Sequence, residues 1–166
     1  MHVCGMASIK DQQNYSANEI LRTERLLLRE WVAADGPDLY RLNLDPEVIR
    51  YTADPPFNSP EQATQFILDY DQYARYGVGR WAVIRLKDSE NLGWCGLKFH
   101  PDTGDYDLGY RFFRRNWGKG YATEAAMGCI RHAFDCLHLE SLTGRVLKGN
   151  FASARVLEKC GFFHQE

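Results

Sequence analysis

The sequence predicts an α+β domain built on a mixed, mostly antiparallel sheet, and three observations support this. Strand-like segments at 79–86, 92–100 and 106–112 follow one another through short polar turns, which is typical of an antiparallel meander. A glycine turn then leads into a helix, a strand and a second helix, which predicts one crossover in the sheet. With 166 residues, 45% of them hydrophobic, the chain can bury one sizeable core.

The N-terminal part separates into an arm and the start of the sheet. The residues up to Asn18 are polar and aperiodic, so we predict a flexible arm over residues 1–20 and one folded domain over 21–166. An apolar run bounded by charged residues at 25–31 predicts the first strand.

Short helices follow the first strand and could form one wall of a cleft. We expect them near 35–44 and 46–51, before a loop with consecutive prolines at 55–56, which suit neither a helix nor a central strand. Ser59 offers an N-cap, with proline at the first helical position and glutamine at the third. This capping-box pattern predicts a helix to about Tyr76.

The second half of the chain supplies the crossover. The stretch RRNWGKGYATEAA at 114–126 begins a helix that we expect to end near Leu137. A strand at 141–147 and a helix at 150–160 follow, and Phe162 is the expected start of one more strand.

Composition excludes several function classes. The net charge of −2 argues against a nucleic-acid binder that relies on bulk basicity, so any anion site must be local. Five cysteines without a C-x-x-C pair argue against a disulfide framework or zinc ribbon. No apolar run approaches the roughly 20 residues of a membrane helix, and a signal-peptide core is lacking. We therefore expect a cytoplasmic protein without nucleic-acid or membrane partners.

Cys129, His132 and Cys136 have a spacing that could suit metal ligands on one face of a helix. A helical projection places both cysteines within the apolar arc and His132 at its polar border, so core packing explains them and we predict no metal. Cys160 precedes a Gly-Phe pair at a position that is normally buried, which argues against a nucleophile.

The turn Gly118–Gly120 suits a phosphate group. A glycine-rich turn at a helix N-terminus presents free N–H groups in a concave nest, and the helix dipole adds partial positive charge. Glycine lets the backbone approach the anion, and Arg115 and Lys119 supply mobile charge. Phe113 replaces the first glycine of a Walker loop and Thr123 the third glycine of a dinucleotide fingerprint, so both nucleotide patterns fail.

The pattern that fits is Arg-x-x-Gly-x-Gly at Arg115, Gly118 and Gly120, which resembles the acetyl-coenzyme A pyrophosphate loop of the GNAT acetyltransferases. The sequence WGKGYATEA at 117–125 resembles the branch that includes the ribosomal-protein N-terminal acetyltransferases RimJ and RimL. Three further segments resemble the first strand, central hairpin and second cofactor motif of that branch: TERLLLR at 23–29, LGWCGL at 92–97 and NFASARVLEKCGF at 150–162. The resemblance covers about residues 23–162.

The resemblance implies a GNAT-type sheet and direct attack by an amine on the acetyl thioester in a ternary complex. The implied cosubstrate is acetyl-CoA, and a protein N-terminus is the first choice of acceptor. A small amine such as a polyamine, amino acid or aminoglycoside is the second choice, and a non-catalytic acetyl-CoA-binding module is the remaining alternative. The branch continues through another strand after the position of Phe162, so we expect the last strand to be missing here. The open edge would be covered by a partner chain, as in a homodimer, by a swapped segment or by further sequence.

The resemblance also implies roles for individual residues. Main-chain groups at Tyr110 and Phe112 would bind the pantetheine arm and polarise the thioester. Leu157 replaces the tyrosine with which many relatives protonate the thiolate, and Asn150 with Ser153 is credited with hydrogen bonds on the thiol side; the alternative is an N-cap with a first-turn serine. The implied cofactor contacts are Tyr110, Phe112, Arg115, Trp117, Gly118, Lys119, Gly120, Tyr121, Ala122, Thr123, Asn150, Ser153 and Arg155.

Asp107 is the implied base, since it stands where the branch often has glutamate. The alternative is a solvated residue on a strand edge. A peptide α-amine has a pKa near 8, against about 10.4 for lysine, so an α-amine needs only a weak base. If Asp107 is the sole base, an α-amine is the easier acceptor.

Overall fold

The computed structural model describes residues 17–163, and its six-stranded sheet follows chain order. The strands are β1 Glu19–Arg22, β2 Leu26–Arg29, β3 Arg80–Arg85, β4 Asn91–His100, β5 Asp105–Phe112 and β6 Thr143–Gly144. Strands β1 to β5 pair antiparallel with their neighbours, and β6 pairs parallel with β5. The predicted α+β class, the meander and the single crossover are therefore confirmed.

Six α-helices cover the two faces of this sheet. They are α1 Gly36–Leu44, α2 Pro46–Ile49, α3 Pro60–Leu68, α4 Gln72–Tyr76, α5 Tyr121–Arg131 and α6 Phe151–Lys159. Because side chains alternate across a strand, one face of β4 and β5 packs against α5 and α6 in the main core. The other face packs against the N-terminal helices, where a smaller core forms between α1 and α3.

Two differences from the sequence-based expectations concern elements in the N-terminal half of the chain. Strand β1 was not expected, and it begins at Glu19, inside the range assigned to the arm; residues 1–16 lie outside the described part of the chain. The helix expected to run from Pro60 to Tyr76 is broken after Leu68. The break turns Tyr70 towards the sheet, where its hydroxyl accepts a 2.9 Å hydrogen bond from the backbone N–H of Arg80.

Strand β6 is shorter than expected, and this opens the sheet. Its ladder with β5 contains only the pairs Asp107–Thr143 and Leu108–Gly144, so the remainder of β5 is paired only with β4. Phe162 begins no strand in the two described residues there, and residues 164–166 lie outside the described range. The opening between β5 and the start of α6 is where the candidate site lies.

Within residues 17–163, no helix is both long enough and apolar enough to cross a bilayer.

Candidate functional site

The glycine turn lies between β5 and α5 in the conformation that glycine favours. Gly118 and Gly120 have φ angles of 73° and 80°, and Gly120 directly precedes α5. A Cβ atom added at Gly118 would meet no atom within 4 Å, so this side of the turn is open. The turn therefore presents the first N–H groups of α5 at an accessible surface, as an anion site requires.

Arg25 and Glu124 hold the same turn in place. One carboxylate oxygen of Glu124 accepts hydrogen bonds from the Thr23 hydroxyl (2.6 Å) and the Arg25 backbone N–H (2.8 Å), and the other accepts from Arg25 Nε (2.6 Å). Arg25 Nη1 donates to the carbonyl of Lys119 at 3.0 Å, and the guanidinium lies 4.4 Å from the centroid of the Tyr121 ring. Burial alone would raise the pKa of Glu124, but these donors outweigh it and hold the pKa below its usual value.

Sequence reasoning missed this clamp. The segment TERLLLR was interpreted only as a strand, and its Thr-x-Arg start supplies the partners of Glu124. One feature of the sequence could have indicated it: Glu124 is an acidic residue in the first turn of the helix that follows the phosphate turn, where a basic residue can pair with it. Nothing in the local pattern connects positions about 100 residues apart, however.

The basic residues that directly follow β5 are exposed, and both arginines among them are paired: Arg114 Nε lies 3.1 Å from Asp45 Oδ2. Arg115 Nε donates to Glu90 Oε1 at 3.0 Å, and its guanidinium lies 4.2 Å from the Phe113 ring centroid. A cleft of about 500 Å³ adjoins it, lined by Arg41, Asp45, Phe113, Arg114 and Arg115.

Lys119 and Arg155 are exposed, on the turn and on α6 respectively. Trp117 is 47% exposed and donates from Nε1 to the carbonyl of Phe112.

The start of α6 meets β5 at the opening of the sheet. Asn150 caps this helix, because its Oδ1 accepts from the Ser153 N–H at 3.2 Å. The Tyr110 hydroxyl lies 2.9 Å from both the Ser153 hydroxyl and the Ser153 carbonyl oxygen. Burial raises the pKa of Tyr110 to about 12, so its hydroxyl stays protonated at neutral pH. Two hydroxyls and an amide therefore meet at one end of the opening, while Leu157 is buried in the core.

On the opposite face of the sheet, Asp107 lies in a buried charged network. Arg80 Nη2 donates to Asp107 Oδ2 at 2.9 Å, and Arg80 Nη1 donates to the carbonyl oxygens of Gly96 and Asp107. His100 Nε2 lies 2.6 Å from Asp107 Oδ1. The Asp107 side chain is only 9% exposed, so the alternative of a solvated strand-edge residue is wrong.

The network keeps Asp107 ionised. Burial alone would raise the pKa of this carboxyl, but the charge and hydrogen bond of Arg80, together with the hydrogen bond of His100, hold it below the usual value. The role of Asp107 as a base stays a prediction. Sequence reasoning did not identify Arg80 or His100, because both reach Asp107 across strands.

An aromatic wall stands beside this network. The Trp94 ring lies between the guanidinium groups of Arg80 and Arg111, at 5.4 and 5.2 Å from its centroid. Arg111 also donates to the side chains of Asn43 on α1 and Asp54 in the proline loop. The N-terminal helices and the proline loop are thus tied to the face of β5 that carries Asp107, as expected for one wall of a cleft.

The suspected metal ligands do not share one environment. Cys129 is fully buried with its Sγ 3.6 Å from that of Cys95, and the His132 ring packs edge-on against Trp81. Cys136 is exposed, so its assignment to the apolar arc is wrong. A π-helical turn over His132–Cys136 changes the helical phase, which accounts for the difference. Cys160 is half-buried, with its sulfur 3.9 Å from the carbonyl oxygen of Thr123.

A sheet that opens beside a glycine turn and the N-capped helix α6 is typical of acyl-CoA-dependent transferases. Residues 25–163 match the family model described as the acetyltransferase (GNAT) domain, and the chain belongs to this family. It is an acetyl-CoA-dependent N-acetyltransferase.

Individual relatives agree with this assignment. The chain is 32% identical over 146 residues to an uncharacterized N-acetyltransferase p20 of Bacillus licheniformis, covering 87% of this chain and 82% of that one. It is 31% identical over 139 residues to the FsC-acetyl coenzyme A-N(2)-transacetylase of Aspergillus fumigatus, covering 76% of this chain and 57% of the relative.

Among solved structures, the ribosomal L7/L12 α-N-protein acetyltransferase RimL in complex with coenzyme A superposes with a TM-score of 0.77. The match covers 90% of this chain and 86% of RimL at 17% identity, so this likeness concerns the fold. The expected RimJ/RimL-like architecture is confirmed.

Proposed function

We propose that the protein transfers the acetyl group of acetyl-CoA to a primary α-amine, with a protein N-terminus as acceptor, by direct attack in a ternary complex. The observation that carries this proposal is the buried Arg80–Asp107 pair on the face of β5 that packs against the N-terminal helices. Because its pKa is lowered, the Asp107 carboxylate takes up a proton poorly, and a site without a strong base favours an amine that loses its proton readily.

The two kinds of amine differ strongly in this respect. With pKa values near 8 and about 10.4, roughly 9% of an α-amine but only about 0.04% of a lysine amine is neutral at pH 7. The reactive fraction of the α-amine is therefore about 200-fold larger.

The donor, acetyl-CoA, would bind on the side of the opening where the glycine turn lies. The N–H groups from Gly118 to Thr123, including those of Lys119 and Ala122, would hold the pyrophosphate, aided by the side chains of Arg115 and Lys119. Arg115 would exchange Glu90 for a phosphate, which is the more strongly charged partner. The pantetheine arm would lie against the main chain of Tyr110 and Phe112, in the part of β5 that is not paired with β6.

Asn150 and Ser153 would act on the thiol side of the reaction. The hydrogen bond between the Ser153 and Tyr110 hydroxyls supports this, because a hydroxyl pair can donate to a developing thiolate. The N-cap role of Asn150 is compatible with this proposal, since the cap fixes the position of Ser153.

An α-amine on a small molecule is the second candidate. The similarity to the Aspergillus fumigatus FsC-acetyl coenzyme A-N(2)-transacetylase favours it, because the name of that relative specifies acetyl transfer to a nitrogen numbered N(2). Such a compound would use the same proton chemistry and would differ in its contacts with the proline loop.

The test is an acceptor panel with acetyl-CoA in which release of free thiol is followed. The panel contains a peptide with a free N-terminus and no lysine, the same sequence N-terminally blocked with one lysine added, a free amino acid and spermidine. We expect the free N-terminus to react fastest at pH 7. Preference for the free amino acid would favour the second candidate, and preference for spermidine or lysine would contradict both.

A further inference from the structure

We infer that His100 accepts the proton of the attacking amine and that Asp107 is a positioning residue that orients its imidazole. This inference rests on the proposed transfer to an amine and adds a residue that the sequence motifs did not identify. It is carried by a single juxtaposition, the contact of a part-exposed histidine with a buried and doubly bound carboxylate.

The geometry fixes which nitrogen of His100 is available. Nε2 lies 2.6 Å from Asp107 Oδ1, and an ionised carboxylate can only accept, so Nε2 carries the proton in the neutral ring. Nδ1 then holds a free lone pair. Asp107 cannot turn away from this contact, because Arg80 binds its other oxygen at 2.9 Å. The carboxylate thus selects one tautomer and one ring orientation.

Asp107 itself is badly placed to receive the proton. Its side chain is 9% exposed, and each of its oxygens already has a partner. The His100 side chain is 24% exposed, so the imidazole is the member of the pair that an acceptor or a bridging water can reach. Exposure and hydrogen bonding therefore both favour the His100 imidazole as the group that receives the proton.

The Arg80 end of the network lies beside the part of β5 where the thioester would be attacked. Gly109 lies two residues beyond Asp107 on the same face of β5, directly after the ladder to β6 ends. A Cβ atom at Gly109 would lie 2.8 Å from the Arg80 guanidinium, so Arg80 spans the space between Gly109 and the Asp107 carboxylate. His100 stands at the far end of this row.

The step balances without a further reactant. The amine nitrogen forms a bond to the acetyl carbon, the carbon–sulfur bond breaks, and coenzyme A leaves as a thiolate with the electron pair. Because Arg80 and Asp107 lie between His100 and Gly109, the amine proton passes to Nδ1 along a chain of waters, and the imidazolium later releases it to solvent. The charged groups of β3, β4 and β5 on the face of the ring are Arg80, Lys98, Asp105, Asp107 and Arg111.

The first test replaces His100 by glutamine, which can still donate to Asp107 but cannot accept a proton at neutral pH. At pH 6.5 we expect kcat to fall about 100-fold or more, the usual contribution of a general base, with the KM for acetyl-CoA unchanged. The loss should shrink at pH 8.5, where the α-amine is largely neutral without help. The matched control is His138→Asn at an exposed left-handed position that asparagine tolerates, and it should leave kcat unchanged.

The second test separates catalysis from filling of space. Activity of His100→Ala should be restored in part by added imidazole but not by pyrazole, a ring of equal size and far lower basicity. Equal rescue by the two rings, or a kcat of His100→Gln within threefold of the parent, would overturn the inference. The comparison uses whichever amine the parent acetylates fastest. A parent that prefers spermidine thus contradicts the proposed acceptor while the test of His100 still gives an answer.

Discussion

Alanine in the glycine turn tests whether this turn holds the donor. Gly118 and Gly120 have φ angles of 73° and 80°, where an alanine costs about 1–2 kcal/mol because its Cβ crowds the following carbonyl. At Gly118 the new Cβ meets no atom within 4 Å, so the cost comes from the backbone alone and not from a clash. The turn can relieve this strain by leaving the left-handed conformation, and its N–H groups then no longer converge on the phosphate.

The expected change in affinity follows from this cost. A penalty of about 1–2 kcal/mol that acetyl-CoA must overcome on binding raises its KM about 5- to 30-fold and leaves kcat nearly unchanged. Gly118→Asn should cost less, because asparagine tolerates the left-handed region.

The chain offers a matched control for this prediction. Gly77 ends α4 with a φ of 68° and open space around its Cβ position, so Gly77→Ala carries the same strain away from the turn. Gly77→Ala should lower the free energy of unfolding by about 1–2 kcal/mol, measured by denaturant titration, and Gly118→Ala should lower it by no more than this. Only Gly118→Ala should raise the KM for acetyl-CoA. Equal KM values for the two variants would refute the assignment of the donor site.

Three further predictions concern the surrounding network. Arg25→Lys should raise the KM for acetyl-CoA about fivefold in steady-state kinetics, since lysine cannot bind Lys119 and Glu124 as a fork, whereas Arg22→Lys on the exposed surface should not. Because the pKa of Asp107 is lower in the folded than in the unfolded chain, its ionisation contributes stability above the unfolded pKa near 4. This contribution is lost as the pH falls through the folded value. Denaturant titrations between pH 5 and 2.5 should show that Asp107→Asn removes this part of the acid sensitivity, and an unchanged slope would contradict it. Tyr110→Phe should lower kcat about tenfold with little change in KM, since it removes the partner of the Ser153 hydroxyl; an unchanged kcat would exclude Tyr110 from the thiol side.

The fold was predictable to the extent that its signals are local. Short polar turns define the β3–β5 meander, and Ser59 caps α3 by accepting from the Gln62 N–H as expected. The break after α3 was not predictable, because Tyr70 and Tyr73 both hydrogen-bond to the backbone of Arg80 on a distant strand. Tertiary contacts there outweigh a continuous helical pattern.

The site divides in the same way. The donor turn is contiguous in sequence, so Gly118 and Gly120 could be identified from their motif and have the left-handed conformation that such a turn needs. On the acceptor side, the partners of Asp107 come from two other strands, and no sequence spacing relates Arg80 to His100. Side-chain networks of this kind become visible only when strand register is known.

The central test of the proposed function is which amine of a peptide receives the acetyl group. A peptide that has both a free N-terminus and one internal lysine, incubated with acetyl-CoA and the protein at pH 7, is analysed by fragmentation mass spectrometry. We expect one acetyl group on the N-terminal residue and an unmodified lysine. Acetylation of the lysine with a free N-terminus would contradict it.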